Sequence, residues 1–155
     1  MLNQIYTTCE FIKEKTNFIP EYGVILGTGL GNFAEDINIE FTLHYTDIPN
    51  FPVSTVSGHK GALLFGTVGT KKVVAMQGRF HYYEGYDMKE VTFPIRVMKH
   101  LGVTKLIVSN ASGGVNPNYK VGSVVIITNH INMMPEHPLR GLNDERLGPR
   151  FVNMS

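Results

Sequence analysis

Lys72-Val73-Val74-Ala75-Met76-Gln77-Gly78-Arg79-Phe80-His81-Tyr82-Tyr83-Glu84-Gly85-Tyr86-Asp87-Met88-Lys89-Glu90 is the stretch that decides the fold class. Its first residues form a short apolar run rich in valine, the pattern of a buried strand. Asp87 to Glu90 has capping-box form and opens a helix toward Leu101, where Gly102 closes it. Leu106-Ile107-Val108-Ser109 then reads as a further apolar strand. Pro94 falls inside the helix and is expected to kink it or divide it in two.

Between strand and helix, just past a strand end, the chain places Arg79, His81 and three tyrosines (Tyr82, Tyr83, Tyr86). Side chains of an extended backbone alternate faces, so Arg79 and His81 are expected on the same side. A guanidinium fork beside an imidazole suits an oxyanion such as phosphate. The tyrosines add flat apolar faces with a hydroxyl tip, fit for a sugar or a base.

Working outward, Leu2, Ile5, Tyr6, Cys9 and Ile12 recur at helical spacing and predict an amphipathic N-terminal helix in a segment that Pro20 ends. Tyr22 to Leu26 reads as a short buried strand running into Gly27-Thr28-Gly29-Leu30-Gly31, with a helical turn after it around 32–37. Residues 39–45, 62–68 and 72–76 read as strands, the last two joined by a hairpin turn at Gly69-Thr70. Residues 123–128 are expected to be one more. Strands interspersed with helices define an α/β domain with a mixed central β-sheet flanked by helices. From Glu136 to Ser155 only loop and turn residues appear, an ending expected of an α/β domain only where more chain follows.

The bulk numbers fit one folded domain. The chain has 155 residues, 43% hydrophobic and 17% charged, enough to bury a core. A formal net charge of +1 removes the electrostatic case for nucleic acid or an anionic membrane as partner. Cys9 is the only cysteine, so an intrachain disulfide and a cysteine-based zinc site are excluded. The N-terminus lacks a signal-peptide pattern and no stretch approaches the roughly 18 apolar residues of a membrane span. A soluble cytoplasmic protein is expected.

The glycine loop at 27–31 has Asn32 where a dinucleotide fingerprint needs glycine, which disfavours a nicotinamide cofactor. A backbone-amide nest for one phosphate, with the Thr28 hydroxyl added, is one reading; a tight strand-to-helix turn is the other. Asn110-Ala111-Ser112-Gly113-Gly114 repeats the pattern and by itself reads as a turn. His59, between Gly58 and Lys60, is either a loop residue closing over an anion or a surface residue. His44, His100, His130 and His137 are read as surface or satisfied core residues, since no metal-ligand spacing connects them. Met133 and Met134 are expected to pack, and Asp144-Glu145-Arg146 to form a solvated charge cluster. There is no nucleophile elbow and no Walker A loop.

Taken together, GTGLG at 27–31, IPNFP at 48–52, Gly58-His59, QGRFHYYEGY at 77–86, VTFPIRV at 91–97, NASGG at 110–114, Asn129-His130-Ile131-Asn132 and His137-Pro138-Leu139-Arg140-Gly141 resemble the trimeric purine nucleoside phosphorylases, in order and over essentially the whole chain. The resemblance implies the nucleoside phosphorylase fold, with residues 1–155 as the N-terminal portion of a single phosphorylase domain whose remainder is absent. It implies phosphate-dependent cleavage of the N-glycosidic bond of 6-oxopurine ribo- and deoxyribonucleosides, giving free base and (deoxy)ribose 1-phosphate. Inorganic phosphate is then a co-substrate, with no cofactor and no metal, and the assembly a homotrimer.

By the same resemblance Thr28, Arg79, His81, His59 and the Ala111 backbone amide would hold phosphate, with His81 and His59 as the catalytic histidines. The family usually has serine at position 28, and threonine keeps the hydroxyl. Tyr83 would touch the ribose, and Phe151 would enter the neighbouring subunit's pocket. The purine-binding residues would lie in the portion not present, so little or no activity is expected of this chain alone. The alternatives are a methylthioadenosine phosphorylase of the same superfamily and a non-catalytic phosphate-binding or assembly fragment.

Overall fold

The computed structural model describes residues 1–27, 29–52 and 61–153. The chain divides into two compact units, residues 1–110 and 111–155.

The first unit carries the regular structure. Helix α1 spans Leu2–Lys15 and buries Leu2, Ile5, Thr8, Cys9 and Ile12, the apolar stripe expected of its spacing plus one threonine. Thr8 is buried because its hydroxyl donates to the Pro49 carbonyl (2.8 Å) and accepts from Asn50 Nδ2 (3.2 Å). Asn50 sits at φ 64, a conformation asparagine tolerates better than most residues. Tyr6 instead lies at the surface, edge-on to His100. The helix stops at Thr16, several residues ahead of Pro20, where the Thr16 hydroxyl accepts the Phe18 N–H. A local side-chain hydrogen bond thus competes with the next helical turn.

Strands β1 (Tyr22–Ile25), β2 (Asn38–His44), β3 (Ala62–Val68), β4 (Lys71–Gln77) and β5 (Lys105–Val108) form one sheet in the order β2-β3-β4-β1-β5. The mixed character expected of it holds: β3 is antiparallel to β2 and β4, while β1 is parallel to β4 and β5. Gly69, at φ 57, turns β3 into β4 through the hairpin expected at that point, a left-handed position that suits glycine. One face of the sheet is sealed by Val24, Leu26, Ala62, Leu64, Val73 and Ala75 packed with Ile37. Residues 31–36 before Ile37 form the expected turn as a short 3-10 helix.

Helix α2 (Met88–Leu101) follows β4. Asp87 accepts the N–H groups of Lys89 (2.7 Å) and Glu90 (2.8 Å), and Glu90 accepts the N–H of Asp87 (2.8 Å), so the capping box is complete. Of the two outcomes expected at Pro94, division does not occur: α2 runs unbroken through Pro94, which is buried; packing of Phe93, Pro94, Val97 and Met98 outweighs the single backbone donor that proline removes. Gly102 ends it at φ 120. Met98 meets the sheet at Gly23, where an added Cβ would lie 3.1 Å from its sulfur.

This order places the carboxyl ends of β1, β4 and β5 on one sheet edge, together with the start of β3 and the end of β2. Ligands in open α/β sheets gather beyond such carboxyl ends.

The second unit is built of turns around a 3-10 turn at Glu145–Leu147. Residues 123–128 do not form the expected strand; Val124 and Ile126 are 95% and 87% exposed. A strand needs a neighbour to satisfy its N–H and C=O groups, and the described residues of this unit supply none. Met133 and Met134 are likewise exposed rather than packed. The Asp144–Arg146 pair, at 2.7 Å on the surface, is the solvated charge cluster expected. Among the described residues, no helix is long and apolar enough to cross a membrane.

Candidate active site

β4 delivers Gln77 to the sheet edge, and Gly78 at φ 88 turns the chain out of the ladder. From there Arg79, Phe80 and His81 alternate as an extended chain must. Phe80 is 4% exposed and packs on Tyr45 and Tyr86, which leaves Arg79 and His81 together on the opposite side. Arg79 Nε donates to His81 Nε2 at 3.0 Å, and Arg79 Nη1 donates to the Ser109 carbonyl at 2.8 Å.

The imidazole is held from its other side too. His81 Nδ1 lies 2.6 Å from Glu84 Oε1, which also accepts the His81 backbone N–H at 3.0 Å. Because Nε2 accepts from Arg79, the ring proton belongs on Nδ1, where it donates to the carboxylate. The Glu84 side chain is only 5% exposed, so its charge is committed to this pair rather than to water. The short turn Tyr82–Glu84, ended by Gly85 at φ 98, brings the carboxylate back onto His81. Tyr83 stacks on the imidazole at 4.7 Å and 18° while remaining 80% exposed.

Ser109 joins the neighbouring strand ends. Its Oγ accepts the Gly27 N–H (2.9 Å) and donates to the Ile25 carbonyl (3.1 Å). Gly27 is glycine for steric reasons, since a Cβ there would collide with the Ser109 carbonyl. Its amide is therefore engaged within the fold instead of being open to an anion, which narrows the nest expected at 27–31. A guanidinium has five N–H donors; among the described residues two of those of Arg79 are taken, and the others are available to an oxyanion.

The structure thus brings together Arg79, His81 and Tyr83 as expected, and adds Glu84 and Ser109, which sequence reasoning did not single out. Thr28 and His59 lie outside the described residues. Ala111 and Phe151 belong to the second unit, where both are exposed. Cys9 is no nucleophile: burial pushes its thiol up to about 11, so the thiolate is scarce near neutrality.

A buried carboxylate orienting a histidine, with an arginine fork beside it at the carboxyl ends of parallel strands, is an arrangement whose chemistry suits an oxyanion. Residues 21–155 match the family model of the phosphorylase superfamily, and the chain belongs to that superfamily. It is 54% identical to purine nucleoside phosphorylase 1 of Geobacillus stearothermophilus over 97% of this chain and 55% of that protein. To purine nucleoside phosphorylase 1 of Bacillus subtilis it is 53% identical over 100% of this chain and 57% of the relative. The chain spans about half the length of the curated relatives it matches. Among solved structures it is similar to the Schistosoma mansoni purine nucleoside phosphorylase in complex with acetate, with TM-score 0.93 and 46% identity over 99% of this chain and 57% of that one. A purine nucleoside phosphorylase in complex with ribose-1-phosphate is similar to the same degree, with TM-score 0.93 and 46% identity over 99% and 58%.

Proposed function

We propose that this chain carries the phosphate-holding part of a purine nucleoside phosphorylase. The observation that carries the reading is the Arg79–His81–Glu84 array: a fork and an oriented imidazole side by side, 3.0 Å apart, at a strand end. The similarity to proteins named purine nucleoside phosphorylase supports the substrate class.

In this reading Arg79 neutralises and orients inorganic phosphate. His81, with its proton held on Nδ1 by Glu84, accepts from Arg79 Nε through Nε2 and so fixes the guanidinium whose remaining N–H groups meet the phosphate. The phosphate oxygen attacks the anomeric carbon as the bond to the purine nitrogen breaks, its electron pair leaving with the base. Positive charge develops on the sugar in an oxocarbenium-like transition state, and the adjacent phosphate stabilises it electrostatically. Positioning and charge supply the catalysis, without a metal or an organic cofactor. The Thr28 hydroxyl and the Ala111 amide complete the phosphate shell, His59 serves as the second catalytic histidine, and Tyr83 meets the ribose. Phe151 serves a neighbouring subunit of a cytoplasmic homotrimer. These last roles rest on the family resemblance.

Release of hypoxanthine from inosine tests the proposal. Turnover in phosphate buffer and none without phosphate supports the enzyme; cleavage that ignores phosphate counts against it. A second reading is a non-catalytic phosphate-binding or assembly fragment, since the Arg79–His81–Glu84 array serves phosphate binding whether or not turnover follows. Folded protein that binds phosphate and turns over no inosine under either condition selects it. Turnover of methylthioadenosine in preference to inosine would instead select the sister activity.

A further inference from the structure

Tyr45 is the most deeply buried aromatic at this edge of the sheet, 3% exposed, although it stands in the turn Tyr45–Asp47 just after β2. The strand pairings His44 with Ala62 and Ala62 with Gln77 put Tyr45, Gly61 and Gly78 in one row across three strands, a step beyond the ladders. Tyr45 holds both other members of the row. Its backbone N–H donates to the Gly61 carbonyl at 3.0 Å, and its hydroxyl donates to the Gly78 carbonyl at 2.7 Å. The ring crosses the middle strand to get there, and a Cβ on Gly61 would collide with it. Gly61 is thus a glycine that makes room for a tyrosine.

The gripped carbonyl belongs to the peptide that leads into Arg79. Gly78 stands at φ 88, so no side chain fixes the direction in which this peptide leaves the sheet. Phe80, on the far side of Arg79, also packs on the Tyr45 ring at 5.1 Å, and Phe51 supports the ring at 5.5 Å. One tyrosine therefore holds the residues immediately before and after Arg79.

We propose that Tyr45 is a positioning residue of the anion site, its hydroxyl setting the Gly78–Arg79 peptide so that the Arg79 guanidinium reaches His81. The phosphate-binding consequence rests on the function proposed above; the effect on the Arg79–His81 geometry does not. Burial raises the phenol above its ordinary value, which keeps the hydroxyl a donor throughout the working pH range.

Tyr45→Phe keeps the ring and removes only the grip, so it is the informative variant. The experiment follows the Arg79 Nε–H and His81 imidazole resonances by nitrogen-15 NMR in the full chain, first without ligand and then in a titration with inorganic phosphate. Expected in Tyr45→Phe are shifted resonances, faster exchange of the Arg79 Nε–H, and phosphate affinity lower by roughly fivefold, the equivalent of one neutral hydrogen bond. Cys9→Ala, which deletes a buried thiol held against the Val97 carbonyl elsewhere in the unit, should lower thermal stability and leave those resonances in place. Resonances in Tyr45→Phe that coincide with wild type overturn the proposal, as does an equal displacement by Cys9→Ala. Wild-type protein that ignores phosphate removes the anion-site reading alone, and the ligand-free spectra still decide the role of Tyr45.

Discussion

Arg79 Nε donates to His81 Nε2 at 3.0 Å, and that one hydrogen bond assigns the imidazole proton to Nδ1, facing Glu84. The arginine and the glutamate therefore hold the histidine in one tautomer from opposite sides. Glu84→Gln should keep the shape and lose the charge, letting the ring exchange between tautomers. We expect the nitrogen-15 shifts of the imidazole to move toward a mixture and phosphate affinity to fall roughly tenfold, in line with the loss of a charge-assisted hydrogen bond. A spectrum that keeps the single Nδ1–H tautomer would remove Glu84 from this role.

Arg79 bonds His81 through Nε and the Ser109 carbonyl through Nη1. Lysine supplies the charge but neither the plane nor the fork. Arg79→Lys and Arg79→Ala should both weaken phosphate binding, alanine by roughly 100-fold or more and lysine by roughly tenfold. Nucleoside binding should change far less. Isothermal titration with phosphate, and separately with inosine, measures the split; equal losses for both ligands would take Arg79 out of the phosphate site.

Ser109 satisfies the Gly27 amide and the Ile25 carbonyl with one hydroxyl. Ser109→Ala leaves a half-buried N–H without its acceptor and should cost about 1–3 kcal/mol, read from urea unfolding. Gly27→Ala should cost more, because its Cβ meets a backbone carbonyl that cannot rotate away. If Gly27→Ala were the milder change, the close approach of the β1 and β5 exits would be wrong.

Much of this was legible in the sequence because local rules decide it. Apolar runs marked β1, β3, β4 and β5, alternation marked β2, the Asp87–Glu90 spacing marked the start of α2, and a period of two put Arg79 beside His81. What escaped depends on residues far apart in the chain. Ser109 meets Gly27 across 82 positions, and Tyr45 meets Gly78 across 33, so neither carries a local signature. Glu84 reads locally as one more surface acid; only the turn folding it back onto His81 makes it a buried partner. The error at 123–128 has the opposite cause. Val124 to Ile127 has strand composition, but a strand is a relation between two segments, and composition describes only one of them.

Cys9 offers a test of how firmly α1 is seated on α2. Its thiol lies 3.6 Å from the Val97 carbonyl, and burial raises it from 9.0 to about 11. Folding favours the protonated thiol, so its contribution is fully present below about pH 9 and is lost as pH rises through about 11. Wild type should therefore lose stability relative to Cys9→Ala by up to about 1.4 kcal/mol per pH unit in that window. Urea unfolding of both proteins from about pH 7 to about 10.5 measures the difference, and the rate of alkylation by iodoacetamide, which reacts with the thiolate, follows the titration. A stability gap that stays constant with pH, or a thiolate already formed at pH 9, would mean that α1 opens to water and that Cys9 is not held against Val97.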